Sequence, residues 1–254
     1  QHIGTPAGKT AAAVAQHARQ PLDEVSPVLD RLAHEKRVLL SSGTGEQKRY
    51  HLLPLVPGLF ESVMVRTSLD TLTEWHRRFA ERFTALYETG YLAEYTQHPV
   101  PTVRYVPVGQ SIEAHPLALP SDRLEAILER YDTFAVGMCQ CRINEHLVGR
   151  GCDRPLETCV GFGKVVENFI QSGRMRRITR RDVLTIKAEA ESAGLATFTF
   201  ETGLGQQVCG ASCSCCGDCC HALRTISEFN MPGLIAPPHF VPVLASEHCL
   251  YCGK

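Results

Sequence analysis

The chain has 254 residues, 44% of them hydrophobic and 21% charged, with a formal net charge of −1. That is enough apolar material to bury a sizeable core, and the near-neutral balance excludes a bulk electrostatic attraction to nucleic acid or an anionic membrane. No apolar run reaches the roughly 18 residues of a membrane span. No signal-peptide pattern opens the chain, although its start at Gln1 suggests processing or truncation, so a cytoplasmic location is expected.

The first stretch reads as a small helical unit with a hairpin. Gly4 to Thr10 (GTPAGKT) has three residues between its glycines where a phosphate-binding loop needs four, so it reads as a lead-in to a helix. A short helix over 10–19 precedes a second over 21–37, in which Leu22, Val25, Leu29 and Leu32 share one face. A Gly-rich turn between two apolar runs then predicts a hairpin, which completes a winged helix-turn-helix-like unit. Its second helix carries Asp23, Glu24, Asp30 and Glu35 against Arg31, Lys36 and Arg37. Such an acidic footprint argues against DNA and for partner docking or oligomer formation, with Lys48 and Arg49 on the wing compatible with either.

Residues 58–97 read as helical, with Leu69, Leu72, Trp75, Phe79, Phe83, Leu86 and Tyr87 at three- and four-residue steps and a break near Gly90. A proline-bounded strand follows near 98–109, then a helix over 121–131 and a strand ending at Cys139. This succession predicts a compact α+β domain.

All twelve cysteines lie from Cys139 onward. A chain that can build a core and shows no secretion signal does not call for a disulfide framework, so metal-bound thiolates are the better reading. The first group is Cys139, Cys141, Cys152 and Cys159. Cys139 and Cys141 read as an extended Cys-x-Cys with both side chains on one face. Pro155 reads as the start of a helix that carries Cys159 one turn in. The irregular spacing suits the corners of a four-iron cluster better than zinc knuckles, with zinc the alternative. Arg142 and Arg150 offer to offset a cluster's negative charge, and His146 reads as solvated.

The second group lies within Val208 to Arg224 (VCGASCSCCGDCCHALR), where six cysteines crowd into seventeen residues and are expected to give about four ligands, the candidates being Cys213, Cys215, Cys216, Cys219 and Cys220. Asp218 reads as the cap of a helix with Cys219 and Cys220 in its first turn, where free N–H groups favour thiolate. Helical neighbours point about 100° apart, so the adjacent pairs are expected to split, with some cysteines as ligands and others beside them. The basic run Gly173 to Asp182 (GRMRRITRRD) reads as a solvated loop before a helix capped by Thr179, with docking of an acidic redox partner the alternative. Cys249 and Cys252 form a Cys-x-x-Cys near the end, a pattern shared by zinc knuckles and the opening of a bacterial-type ferredoxin motif.

With Cys139-Gln-Cys141-Arg142, Cys152, Cys159, the run from Cys213 to Cys220, "IAPPHFVPVL", "RYHLLPLVPGLFE" and that final motif, the chain resembles a family of four-iron (4Fe-4S) cluster-binding proteins that carry a C-terminal ferredoxin domain. Gln140 stands where that family has proline, and the ferredoxin motif is expected to continue past Lys254. The resemblance implies one or two 4Fe-4S clusters in this chain, with room for more in that continuation. It also implies electron transfer with a partner oxidoreductase, more as a component than as a stand-alone enzyme. A cluster-bearing, redox-sensing DNA regulator and a zinc-stabilised interaction module are the alternatives. The expected organisation is α+β: a winged-helix-like unit over 1–57, a helical connector over 58–99, a Cys-rich domain over 100–244 and the start of a ferredoxin-like module over 245–254.

Overall fold

The computed structural model describes residues 8–93, 103–106, 123–163, 166–201, 210–237, 239–240, 243 and 246–250. The fold is a mixed α+β architecture, and the chain divides into two compact units, residues 1–65 and 66–254.

In the first unit, strand β1 (Lys9–Thr10) leads into helices α1 (Ala11–Ala18) and α2 (Leu22–His34). Thr10 caps α1 by accepting the N–H of Ala13 at 3.2 Å. Strands β2 (Leu39–Ser42) and β3 (Arg49–Leu52) then form the expected hairpin, closed by the 3-10 turn Gly45–Gln47. The three strands make one antiparallel sheet in the order β1-β3-β2. Leu29, Ala33, Leu39 and Tyr50 form its core, with Val25 and Leu32 packed against them. Leu22, expected on the same face, opens the helix and is 50% exposed, outside this core. Lys48 reaches back from the hairpin to pair with Asp30 of α2 at 2.5 Å, and the Tyr50 hydroxyl donates to the same carboxylate at 2.8 Å. Helix α3 (Phe60–Met64) closes the unit, with the Ser62 hydroxyl donating to the Arg37 carbonyl at 2.8 Å.

The second unit opens with α4 (Glu74–Glu88), which is shorter than the sequence suggests. The Thr73 N–H donates to the His76 ring at 3.2 Å, which fixes the helix start after Leu69 and Leu72. Phe83 and Tyr87 are buried while Leu86 is 38% exposed, and Gly90 takes a positive φ of 73° just past the end. The next elements are β4 (Val103–Tyr105), α5 (Leu124–Leu128), β5 (Phe134–Gly137), α6 (Gln140–Leu147), β6 (Cys159–Phe162), α7 (Val166–Gln171) and β7 (Arg176–Ile178). They are followed by α8 (Arg180–Ser192), β8 (Ala196–Glu201), β9 (Gly210–Cys215), α9 (His221–Phe229) and β10 (Ile235–Ala236).

These strands form a seven-stranded sheet in the order β10-β4-β8-β9-β6-β5-β7, antiparallel throughout except where β10 runs parallel to β4. On one face α5 and α8 pack Ile127, Leu128 and Val183 against Phe134, Val136, Val160 and Phe162. Elsewhere in the unit Phe198, Cys215, Cys220, Val103 and Leu234 form a separate apolar cluster. Gly210 is forced by packing, since a Cβ there would lie 1.9 Å from the Phe162 ring. Thr179 and Asp182 cap α8 reciprocally, as expected, but Arg176–Ile178 is an edge strand and not a loop. No helix among the described residues is long and apolar enough to cross a membrane.

Candidate metal centre

Three local expectations change where the cysteines sit. Cys139 and Cys141 are not in an extended segment: the chain turns at Met138, Cys139 caps α6 and Cys141 lies in its first turn. No helix begins at Pro155, and Cys159 opens β6, where pairing of Val160 with Ser212 sets it beside Cys213 on the neighbouring strand. Helix α9 begins at His221 with Cys220 as its cap, so Cys219 and Asp218 belong to the preceding turn.

Every described cysteine is a free thiol. Six of them form one electrostatically coupled group, here called the ring: Cys141 acts on Cys139 and Cys220, Cys215 on Cys220 and Cys213, Cys159 on Cys213, and Cys213 on Cys139. Protons are unevenly shared around it. The Cys141 thiol lowers the pKa of Cys139, the Cys159 and Cys215 thiols hold Cys213 well below the usual range, and the Cys141 and Cys215 thiols do the same for Cys220. The donors Cys141, Cys159 and Cys215 are pushed up correspondingly. Backbone N–H groups of Arg142 and Leu223, at the starts of α6 and α9, favour the Cys139 and Cys220 thiolates further.

Two buried cations act electrostatically on this ring. Lys187 of α8 is fully buried and donates to the Thr158 carbonyl at 3.2 Å, the Ser212 carbonyl at 2.8 Å and the Ser214 hydroxyl at 3.0 Å. All three of its protons are thereby engaged. Burial pushes its pKa down to about 8, against the opposing pull of Cys213, Cys159, Cys215 and Cys139. Arg142 is also fully buried; it donates to the Ser214 carbonyl at 2.5 Å, to Thr158 Oγ1 at 3.2 Å and to the Pro155 carbonyl. Although desolvation works against its charge, Cys139 and Cys216 hold its pKa above the ordinary value.

Cys152 does not join Cys139, Cys141 and Cys159. It lies with Cys216 and Cys219, the three sulfurs all within 4.8 Å of one another, and this trio could hold a metal ion. The Cys152 and Cys216 sulfurs are 3.7 Å apart. The Cys219 thiol lowers the pKa of Cys216 to about 5, while its own is pushed up by Cys216. His146 is not free in solvent, because its Nε2 is 3.0 Å from the Cys152 carbonyl oxygen. Neither group includes Cys249, which follows the turn Ser246–His248, and Cys252 lies outside the described residues.

A charged network ties the two cysteine-bearing helices together. Glu145 of α6, buried, meets Arg224 of α9 at 3.1 Å, Arg150 at 3.1 Å and His221 at 3.4 Å. Burial raises its carboxyl pKa, but His221, Arg224 and Arg150 more than reverse that, so it ends below the ordinary value. Arg150 also pairs with Glu88, so it is engaged away from the thiols it was expected to neutralise. Sequence reasoning missed Lys187 and Glu145. The signal for Lys187 was present: with Val183 four positions before and Ala190 three after, it sits on the core stripe of α8. Comparison with protein-family models, with curated proteins and with solved structures found no match to this chain.

Proposed function

We propose that the six-thiol ring binds an iron–sulfur cluster, of the four-iron kind, and that the chain passes single electrons to or from a partner oxidoreductase. The observation that carries this reading is the ring itself: six free cysteines from a helix start, two strands and a second helix cap, electrostatically coupled to two buried cations. The donor set fits such a group, which needs cysteine thiolates directed from several sides. When bound, the cluster supplies one-electron chemistry.

The chain's own residues do the rest. Hydrogen bonds and helix-start N–H groups favour thiolate at Cys139, Cys213 and Cys220. Lys187 and Arg142, both fully buried, stabilise negative charge beside the ring, which favours the more reduced and more negative state. Phe198, Val103 and Leu234 pack around Cys215 and Cys220 and keep that side dry. The first unit serves docking or self-association in this reading. Of the two wing cations, the Lys48 ammonium is engaged by Asp30 and the Arg49 guanidinium donates to the Gly8 carbonyl.

The test is iron and acid-labile sulfide on anaerobically purified full-length chain, with its visible and electron paramagnetic resonance spectra. The expected result is a brown protein with equal iron and sulfide, about four of each for one cluster, lost in Cys213→Ser and Cys220→Ser. A colourless protein without sulfide would sink the electron-transfer reading.

A further inference from the structure

We propose that Cys152, Cys216 and Cys219 form a second centre, distinct from the six-thiol ring, that binds a single thiophilic divalent ion such as zinc and leaves its fourth position to an outside ligand. The geometry separates the two kinds of site. Thiolates sharing one tetrahedral ion at about 2.3 Å each sit about 3.8 Å apart. The Cys152 and Cys216 sulfurs are 3.7 Å apart and Cys219 is within 4.8 Å of both. Among the described residues, no three thiols of the ring are so close together. A polynuclear cluster binds each cysteine through a different iron and so needs that wider spacing.

The chain builds the tight trio from recognisable parts. Cys216-Gly217-Asp218-Cys219 is a Cys-x-x-Cys knuckle in a turn, with open space around Gly217. Ala190 and Leu195 pack against its two sulfurs, Cys219 being fully buried and Cys216 nearly so. The third ligand arrives on a loop held from two sides, by His146 on the Cys152 carbonyl and by Arg154, which donates to the Ala193 carbonyl at the end of α8. Cys152 itself is only partly buried, so the open position faces the accessible side. Zinc sites of three protein ligands plus water or substrate are those that act as Lewis acids, and a small thiol or water is the ligand class that fits here.

The same arrangement explains the doubled cysteines. In β9 alternation sends Cys213 and Cys215 to one face, and Cys216 follows the strand end toward the other group. Cys220 caps α9 toward the ring while Cys219 turns to the trio. Each adjacent pair is thus divided between two centres.

The inference goes beyond the iron–sulfur reading and stands or falls separately from it. The experiment measures zinc, iron and sulfide together on the full-length protein prepared anaerobically with both metals supplied. The expected result is about one zinc per chain, with binding at least roughly 100-fold weaker in Cys152→Ser and Cys216→Ser, since changes that merely reorient ligands cost about 10–100-fold. Iron and sulfide per chain stay unchanged in both variants. Cys152→His, which keeps a zinc-competent nitrogen on the accessible loop, retains zinc and decides the matter where a serine variant fails to fold. Parallel loss of zinc, iron and sulfide in both serine variants, with Cys152→His folded and also depleted of all three, would assign the trio to the cluster and overturn the proposal. So would wild-type protein without zinc whose Cys216 and Cys219 are recovered as a disulfide. Zinc retained in a sulfide-free protein would sink the electron-transfer reading and leave this one standing.

Discussion

The first unit buries Leu29, Ala33, Leu39 and Tyr50 and leaves its Asp30–Lys48 pair at the surface, whereas the second buries Arg142, Glu145, Lys187 and Arg224 close to its thiols. Taking a charge out of water costs several kcal/mol unless partners replace the lost hydration. A chain able to pack Leu29 against Tyr50 has no need of such charges for folding alone. Among the described residues such buried charges lie only in the cysteine-bearing unit, where Lys187 and Arg142 act on the thiols.

The contrast is breakable. The largest effect is expected for Glu145→Ala, which takes the buried carboxylate from His221, Arg150 and Arg224, leaves Arg224 only Glu228, and should cost the second unit about 3–5 kcal/mol. Segment-resolved hydrogen exchange should show it in residues 140–147 and 221–229 and leave residues 8–64 unchanged. A loss of under about 1 kcal/mol, the size of a surface pair, would mean that the buried network is not holding α6 to α9. Next comes Leu29→Ala, expected to cost the first unit about 2–5 kcal/mol through the cavity it leaves, with iron and zinc per chain unchanged. Metal loss in that variant would show that the units are not independent in the way their cores suggest.

The smallest effect sharpens the same line. The hydrogen bond from Lys48 holds the Asp30 carboxyl below its ordinary value of 3.8. A depressed carboxyl pKa stabilises the folded state fully above that ordinary value, and the contribution disappears as pH falls through the folded value. Because the pair is half exposed, Asp30→Asn should cost only about 0.2–1 kcal/mol at neutral pH and nothing once the carboxyl is protonated. Thermal melts of wild type and variant at neutral and acid pH check this. A gap that persists in acid would refute the ion-pair account.

What could be read from the sequence was whatever depends on local order. The α1–α2–hairpin succession, the Thr179 cap of α8 and the gathering of thiols from Cys139 onward followed from spacing and composition. The partition of those thiols did not. Cys159 meets Cys213 because β6 pairs with β9 in one register, and Cys152 reaches Cys216 across 64 positions. Both facts depend on strand order, which no local period encodes. The apolar steps before Thr73 also misled, since Leu69 and Leu72 keep the helical spacing while the cap starts the helix after them. Lys187 shows the opposite failure: its period was plain, and only its charge disguised a core position.

Both thiol groups draw on two stretches of chain, and that has a consequence for biosynthesis. From Cys139 to Cys220 is 81 positions, which a ribosome translates in about 4–16 s. Until its end Cys139 and Cys141 lack Cys220, and until just before its end Cys152 lacks Cys219, so neither thiol group is complete on the nascent chain before the start of α9 is made. A metal held by either group would enter only after Cys139, Cys141, Cys152 and Cys159 have waited as open thiols, which makes those four the ones most exposed to oxidation during synthesis.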